Sequence, residues 1–325
     1  MSEILKRRFN VGVGKETTRG TKVTPAMWLK LTTEEYNDEI EPVVTERGMG
    51  VIEDSDDQVV AKNFSAGNVG GEVFDKSIGY FLLGAFGQVN SAGKSGDAGV
   101  YEHTFAVLQS ALHQSLTLEI KRGDIEQKAF ANVVVDSFKL SAEVNDYVTF
   151  EASLRGKAGV AGTATPSYVA ENYFLAKNIS VKLADTLAGL SSANKLDVKN
   201  FEIEISKNIE DKDVLGTDGP ADFLNKQFTI EGTMELYFSS VYERDYAIQG
   251  LAKSMRIELE NSAVTIGTTS HPKLVIDLAK VKFSEAKVSG GNNDIASLSV
   301  SFKGFYSLTD SKSIEAILTN TQASY

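Results

Sequence analysis

The stretch VGVGKETTRGT, residues 11–21, has the composition of a phosphate-binding loop. A Walker A loop needs a Gly, four residues and then Gly-Lys-Ser/Thr, because its backbone N–H groups surround the phosphates and its hydroxyl reaches Mg²⁺. Here Phe9 stands at the first glycine position, and Glu16 places a carboxylate where the hydroxyl is needed. The dinucleotide fingerprint fails as well, since Thr17 occupies its third glycine position. We therefore expect no nucleotide at this stretch.

No other pattern predicts a catalytic, metal or cofactor site. The three histidines, His103, His113 and His271, are far apart and lack the spacing of a metal site. The chain has no cysteine, so it offers no thiol nucleophile, thiolate ligand or disulfide. The acidic segment 53–58 lacks the glycine and the glutamate that an EF-hand loop requires, and it is predicted to be a solvated loop. We therefore predict that the chain is not an enzyme and binds no cofactor.

The overall charge argues against nucleic acid as a tightly bound partner. The net charge is −11 at pH 7, whereas tight nucleic-acid binding depends on Lys and Arg that neutralise phosphates. Hydrophobic residues make up 42% of the chain, which is enough to bury a core. No segment approaches the ~20 apolar residues of a membrane span, and the N-terminal residues lack the apolar run of a signal peptide. We expect synthesis in a cytoplasm and no membrane partner.

Most of the sequence alternates apolar and polar residues, the pattern of half-buried strands. Each such segment is predicted to pack one face inward and to leave the other face polar, which gives a mainly β fold. The clearest segments are SLTLEIKR at 115–122, VTFEASLRG at 148–156, FEIEIS at 201–206, KLVIDLA at 273–279 and SLSVSFKG at 297–304.

Helical patterns are sparse and fall mainly in two segments. Residues 74–88 and 239–254 each place apolar side chains on one helical stripe. In the second segment, Ser240 and Glu243 have the spacing of a capping box, which satisfies free N–H groups at a helix start. A third segment, SKSIEAILTN at the C-terminal end, is predicted as a weaker helix.

The two halves of the chain resemble each other. Residues 1–163 contain 17 Lys and Arg against 23 Asp and Glu, and residues 164–325 contain 16 against 21. Each half has the order strand, helix, strand, strand, strand, with His113 and His271 in equivalent positions after the helix. The segment 156–167 has mostly small residues and no large apolar side chain, and it is predicted to be a flexible linker. We expect two related β-sandwich domains, residues 1–163 and 164–325.

Three segments of the first half resemble the tail tube proteins of long-tailed bacteriophages. Residues 14–31 are similar to the opening of these proteins, where a Gly-x-Glu-x-x-x-Gly-Thr segment precedes a proline and an aromatic residue. Residues 70–87 resemble the strand-to-helix passage of the family, and residues 128–159 resemble its closing strand pair. The matching positions of the first segment are Gly14, Glu16, Gly20, Thr21, Pro25 and Trp28.

The resemblance implies a virion structural protein that assembles into a hollow tail tube. Each domain would be a β-sandwich with a flanking helix, and inner sheets would join across subunits into a closed barrel. Single-domain members form rings of six, so a two-domain chain implies a trimeric ring with pseudo-sixfold symmetry, with a hexamer as the alternative. The implied partners are further copies of the chain, the tape measure, tail terminator and distal tail proteins, and DNA that passes through without specific binding.

Two other functions stay open on the sequence alone. A tube protein of a contractile injection machine has the same fold and the same chemistry. A β-sandwich decoration or adhesion module of a virion predicts exposed aromatic clusters or calcium loops, and neither stands out in this sequence.

The tube interpretation gives roles to specific residues. Residues 11–21 are predicted to be a flexible N-terminal arm that becomes ordered against a neighbouring subunit, with Lys15 and Arg19 pairing with its acidic surface. Trp28 is predicted to be a buried anchor or a subunit contact. Polar strand faces are expected to line the lumen. Carboxylates on these faces would repel the phosphates of DNA, so that DNA passes through without binding. The candidate lining residues are Thr149, Glu151 and Ser153 in the first half, and Ser297, Ser299 and Ser301 in the second.

Overall fold

The computed structural model describes residues 3–239 and 241–325, and antiparallel strands make up most of this structure. The first half contains strands β1 (Phe9–Lys15), β2 (Met27–Leu29), β3 (Thr33–Glu34), β4 (Asn37–Val44), β5 (Gln58–Glu72), β6 (Gly87–Gly93), β7 (Tyr101–Val107), β8 (Leu116–Arg122), β9 (Glu126–Glu143), β10 (Thr149–Lys157) and β11 (Val160–Ala161). The second half contains β12 (Ile179–Ala184), β13 (Val198–Ser206), β14 (Ile209–Lys212), β15 (Asp222–Asn225), β16 (Thr229–Tyr237), β17 (Lys253–Glu260), β18 (Lys273–Ser289), β19 (Ser297–Phe305) and β20 (Ile314–Asn320). The helices of the described residues are α1 (Ile78–Phe86), α2 (Tyr242–Gln249) and short 3-10 turns at Lys6–Arg8, Ala176–Asn178 and Leu187–Ser191. The prediction of a mainly β fold is confirmed.

Eight strands form one continuous sheet that runs through both halves of the chain. Their order is β4-β5-β10-β9-β13-β16-β19-β18, and each neighbouring pair is antiparallel. The first four strands belong to the first half and the last four to the second. The two groups meet where β9 pairs with β13, from Ser137 opposite Ser206 to Glu143 opposite Asn200. This β9–β13 pairing is the internal junction.

A second layer of strands covers the apolar face of the eight-stranded sheet. One part has the order β6-β7-β20-β18-β17-β12, and the other has the order β2-β1-β8-β9-β11. The long strands β9 and β18 therefore take part in both layers. Apolar side chains from both layers and from α1 form one core. Because β7 of the first half pairs with β20 of the second, from Tyr101 opposite Asn320 to Ala106 opposite Glu315, the halves interlock.

The β9–β10 and β18–β19 hairpins share the same irregularity. The β9–β10 pairing leaves Asp136 without an opposing residue, and the β18–β19 pairing does the same at Ser284. Such β-bulges bend a strand and are specific structural features. When the two bulges are aligned, Lys139 matches Lys287, since each is the third residue after its bulge.

The first strands of the two four-strand groups also correspond to each other. Each of the segments β3–β4 and β13 lies at the start of a four-strand group, next to β5 and β16 respectively. Asn37 lies opposite Ala66 of β5, which in turn lies opposite Arg155 of β10. In the second half, Glu204 lies opposite Glu231 of β16, which in turn lies opposite Lys303 of β19. Lys303 is the counterpart of Arg155 when the two bulges are aligned. Asn37 therefore corresponds to Glu204.

The two stronger helix predictions are confirmed, and the third is wrong. Helix α1 lies within residues 74–88, and α2 lies within residues 239–254. Ser240, part of the predicted capping box, lies outside the described residues. Residues 311–320 contain β20 instead of a helix, because this segment lies between β7 and β18. Its alternate residues face the core, and these are Ile314, Ala316 and Leu318.

Residues 11–15 of the stretch predicted to be a flexible N-terminal arm belong to a core strand. Strand β1 pairs with both β2 and β8, and Val11 and Val13 are buried. A Cβ on Gly12 would lie 2.7 Å from the side chain of Pro25, so only glycine permits this close packing. The arm prediction is wrong because glycine serves here for close approach and not for mobility. Trp28 in β2 is buried, as predicted.

His113 and His271 do not occupy equivalent positions, contrary to the prediction. His113 precedes β8, whereas His271 precedes β18. The matching bulges align β18 with β9, and the β17–β18 pairing corresponds to the β8–β9 pairing. Each of these pairings contains a register shift near its start, after Leu116 and after Lys253. Similar local sequence at the two histidines therefore precedes different strands.

Candidate interaction surfaces

The eight-stranded sheet has one polar face, which points away from the core. In β10, for example, Phe150, Ala152 and Leu154 are buried against the second layer, and the residues between them face the other way. Strict alternation in an antiparallel sheet places every second residue of each strand on this polar face. All six residues predicted to line a tube share it, namely Thr149, Glu151, Ser153, Ser297, Ser299 and Ser301.

Acidic side chains outnumber basic ones on the polar face. The acidic residues are Glu35, Glu39, Glu41, Glu72, Glu143, Glu151, Glu202, Glu204, Glu231, Glu235 and Glu285. The basic residues are Lys62, Lys139, Arg155, Lys157, Lys199, Lys282, Lys287 and Lys303. Surfaces that hold nucleic acid have the opposite balance, because they neutralise phosphates. The polar face therefore repels a polyanion.

Ion pairs connect neighbouring strands across the polar face. Lys199 Nζ lies 2.6 Å from Glu235 Oε1, and this hydrogen bond lowers the pKa of Glu235. Lys139 Nζ lies 3.0 Å from Glu202 Oε2 across the internal junction, and this bond raises the pKa of Lys139. Exposed ion pairs add little to stability. Their main effect here is to favour one strand register over its neighbours.

The core side of the internal junction is fully buried. Leu140 of β9 lies opposite Ile203 of β13, and their exposed fractions are 0% and 2%. Phe138 lies opposite Ile205, and both are buried as well. The two halves are therefore joined by backbone hydrogen bonds on the sheet and by apolar contacts beneath it.

The eight-stranded sheet ends in two edges that pair with no further strand among residues 3–239 and 241–325. The first free edge is β3–β4, residues 33–44, and the second is the end of β18, residues 285–289. Exposed apolar side chains lie along both edges, at Ile40, Val43 and Val288. Unpaired N–H and C=O groups on an edge strand favour pairing with another chain. Both edges are therefore candidate assembly surfaces.

The loop between β4 and β5 carries the acidic segment. Residues 53–57 are mostly exposed, as predicted for a solvated loop, and Thr45 Oγ1 donates a hydrogen bond to Asp56. Exposed apolar side chains, Val51 and Ile52 among them, lie beside it. Within the described part of the chain, no group of three or more His, Asp or Glu side chains is arranged to hold a metal ion.

Glu16, which excluded the phosphate loop, is a buried hydrogen-bond acceptor. Its carboxylate accepts bonds from the Gly20 and Asn132 N–H groups and from the Ser115 and Thr117 hydroxyls. Arg19 lies 2.8 Å from Asp222, and Lys15 donates to the backbone oxygen of Tyr325. The predicted contacts of Lys15 and Arg19 with a neighbouring subunit are therefore wrong, because both side chains bond within their own chain.

The three histidines lie in separate structural positions. His103 is fully buried, and its Nδ1 lies 2.8 Å from the hydroxyl of Ser91. His113 and His271 contact backbone carbonyl groups. Burial lowers the pKa of His113 to about 4, with a further contribution from the nearby Lys207. These positions fit structural roles and bring no two histidines into one site.

Lys207 is a buried lysine at the end of the internal junction. Its side chain is 1% exposed, and Nζ donates to the Gly84 carbonyl in α1 over 2.8 Å. Burial lowers the pKa of Lys207 to about 7, against the opposing effect of Asp136. The sequence contains a signal for this position, because Lys207 continues the alternation of Ile203 and Ile205 on the core side.

Asp97 fastens a loop of the first half to the second half. Its carboxylate accepts hydrogen bonds from the backbone N–H groups of Thr268, Thr269 and Ser270. These bonds, the Thr268 bond above all, hold the pKa of Asp97 well below its usual range. No sequence pattern predicts this contact, because it joins two irregular loops that are distant in the chain.

Comparison with known proteins agrees with the geometry. The sequence model of the phage tail tube protein family matches residues 7–304. This match covers both halves of the chain, including the second half, which resembles the family less directly. No curated protein matches the chain significantly. No helix among the described residues is long and apolar enough to cross a membrane.

Proposed function

Because the chain belongs to the phage tail tube protein family, we propose that three copies close into a ring with pseudo-sixfold symmetry and that stacked rings form the tube. Membership of the family makes the protein a structural subunit of the virion tail. The observation that supports a ring of three chains is the internal junction. There, the last strand of one four-strand group pairs with the first strand of the next group, which is the contact that a ring of such groups repeats.

We propose that residues 1–163 and 164–325 are two related units of this ring. Each unit supplies four strands to the eight-stranded sheet and carries one α-helix. The matched bulges at Asp136 and Ser284 support a common origin of the two units. The units do not fold independently of each other in this account, since β7 pairs with β20 across the boundary.

We propose that the polar face lines the lumen. The other face of the eight-stranded sheet is committed to the core, so only the polar face is available to a passing molecule. Excess carboxylate on this face repels the phosphates of DNA, which favours passage without specific binding. In this account Thr149, Glu151 and Ser153, and their counterparts in β19, face the DNA.

The proposed role is structural and not enzymatic, and its partners are those of a tail. Further copies of the chain lie beside and above each subunit in the tube. The tape measure protein occupies the lumen before genome delivery, and the tail terminator and distal tail proteins lie at the two ends. Assembly takes place in the host cytoplasm before the tail joins the virion.

Negative-stain electron microscopy of the purified, concentrated protein tests the proposed function. We expect hollow rings or tubes whose lumen is wide enough for duplex DNA. If the wild-type protein forms neither, even when a tail-tip complex is added to nucleate assembly, the proposal is wrong. Monomers that instead bind glycans or cells would identify an adhesion module.

A further inference from the structure

We propose that the ring closes through a second copy of the internal junction, formed between two chains. In this contact, residues 285–289 at the end of β18 pair antiparallel with residues 35–39 of the neighbouring copy. The inference rests on the proposed function, because it identifies the surface by which one tube subunit binds the next. The partner is a second copy of this chain in a head-to-tail arrangement, since the two edges differ.

The register of the contact follows from the strand equivalences. Lys287 corresponds to Lys139, and Asn37 corresponds to Glu204. In the internal junction Lys139 lies opposite Glu204. The same geometry between chains places Lys287 opposite Asn37 of the neighbouring copy. It also places Glu285 opposite Glu39, as Ser137 lies opposite Ser206.

The burial pattern of the first free edge agrees with this register. Glu34 and Tyr36 are buried, in the positions of Phe201 and Ile203 of β13. The alternate residues Glu35, Asn37 and Glu39 are exposed, in the positions of the polar-face residues of β13. The edge therefore already presents the correct side chains to each face.

The second free edge lacks the cover that its counterpart has. Val288 is 47% exposed, whereas the corresponding Leu140 is 0% exposed. The difference arises because β13 lies against Leu140 and places Ile203 opposite it. A neighbouring copy in the proposed register places Tyr36 opposite Val288. The exposure of Val288 therefore indicates where the strand of a neighbouring copy pairs with β18.

The two edges carry one pair of opposite charges that matches the ion pair of the internal junction. Across the internal junction Lys139 binds Glu202 at 3.0 Å. The corresponding residues at the free edges are Lys287 and Glu35, one on each edge, and both are exposed. Closure of the ring brings them together and repeats the ion pair between chains. Complementary charges of this kind select register and partner more than they add affinity.

Arg122 occupies one backbone group of the first free edge in the single chain. Its Nη2 donates to the Tyr36 carbonyl over 2.6 Å. A carbonyl oxygen has two lone pairs, so the bond is compatible with a further hydrogen bond from an added strand. Capping of an edge by a charged side chain also discourages incorrect pairing before assembly.

The polar-face pairs of the junction suit a disulfide test. The backbone N–H of Lys207 donates to the carbonyl oxygen of Asp136, and that of Val144 donates to the carbonyl oxygen of Lys199. Lys207 with Asp136 and Val144 with Lys199 are therefore hydrogen-bonded pairs of the two strands. Hydrogen-bonded and non-hydrogen-bonded pairs alternate along two antiparallel strands, so the polar-face pairs of the junction are non-hydrogen-bonded. The Cα atoms of such a pair are about 4.5 Å apart. That separation is within the range of a disulfide, about 4.4–6.8 Å. The natural chain has no cysteine to interfere.

The first experiment is oxidation of assembled E39C/E285C protein, followed by a non-reducing gel. This pair removes two like charges that face each other, so the substitutions do not weaken the contact. We expect covalent dimers and a closed trimer. The variant S137C/S206C is the matched control, since it places the same pair in the internal junction and is expected to cross-link within one chain. The variant E39C/A286C shifts one residue to the opposite face and is expected to remain monomeric on the gel.

The outcomes separate the contact from the function. If tubes form and S137C/S206C cross-links but E39C/E285C does not, the proposed register is overturned while the tube function stands. If the wild-type protein forms no ring or tube, the proposed function fails instead.

Charge reversal gives a second test that does not depend on disulfide formation. We expect E35K or K287E alone to raise the concentration needed for assembly by about fivefold, because like charges then meet at the contact. The double variant E35K/K287E restores opposite charges and is expected to assemble close to the wild-type concentration. A double variant no better than the singles overturns the proposed ion pair.

Discussion

The internal junction and the two free edges are built from corresponding strands, yet only the junction is covered. Leu140 at the junction is completely buried, while Val288 at the free edge is 47% exposed. The same strand positions therefore stabilise the fold in one place and await a partner in the other. This difference predicts that folding and assembly can be disrupted separately by equivalent substitutions.

The largest expected effect is that of a charge at the equivalent core positions. Leu140→Asp buries a carboxylate and loses apolar contact, so it is expected to destabilise the monomer by about 4 kcal/mol or more. Val288→Asp is expected to change monomer stability by no more than about 0.5 kcal/mol and to abolish tubes. Urea unfolding of the monomer and electron microscopy measure the two effects.

Equal destabilisation of the monomer by both substitutions would contradict the comparison. So would normal tube formation by the Val288→Asp protein. Either result would mean that the second free edge is not the counterpart of the junction.

A smaller effect is expected from two corresponding glycines beside these contacts. Gly67 has a φ of 145°, and a Cβ there would collide with the carbonyl oxygen of Glu35. Gly232 has no positive φ, although a Cβ there would meet the carbonyl oxygen of Glu202 and the ring of Phe302. Gly67→Ala is expected to cost about 3 kcal/mol and to distort the first free edge, and Gly232→Ala to cost less. Unfolding midpoints of the two variants, compared at equal protein concentration, test this order.

The pH dependence of the junction is expected to come from Lys207, whose counterpart at the free edge is the non-titrating Ile40. The folded-state pKa is lowered to about 7 from 10.5, so the unfolded chain binds the extra proton between these pH values. Wild-type stability is therefore expected to rise with pH across this window, relative to Lys207→Met, by up to about 1.4 kcal/mol per pH unit. Below pH 7 both states hold the proton and the difference is constant. Parallel stability curves from pH 7 to pH 10 would contradict the lowered pKa of Lys207 in the folded chain.

The smallest expected effect is the loss of the ion pair at the junction. Lys139→Ala is expected to lower monomer stability by less than about 1 kcal/mol, since the pair is partly exposed and screened by salt. The loss should shrink further at high salt, as thermal unfolding in low and high salt would show. A loss of several kcal/mol would mean that the pair stabilises the fold and does not only select register.

The parts of the fold that the sequence predicts are those with local periodicity. Strand β10 and the shared polar face were predictable because Phe150, Ala152 and Leu154 alternate with polar residues. Strand β20 was missed because its apolar residues fit a short helix until two neighbouring strands flank it. Strand β1 was missed because glycine has two uses, mobility and close packing, and only the neighbouring Pro25 distinguishes them.

The order of strands was beyond the sequence because it depends on contacts distant in the chain. The β9–β13 pairing joins segments about sixty residues apart, and no local pattern specifies its register. The Asp97 contact with Thr268–Ser270 is similar, since both partners are irregular loops. The candidate lining residues were predictable individually, whereas the two free edges emerge only from the completed sheet.

We propose that three chains, and not six, repeat the internal junction around one ring. Native mass spectrometry of a single ring, or of the shortest assembled species, measures this number directly. We expect a mass equal to three chains, and we expect cryo-electron microscopy to show six similar four-strand groups around the lumen. Six chains in each ring would contradict this proposal.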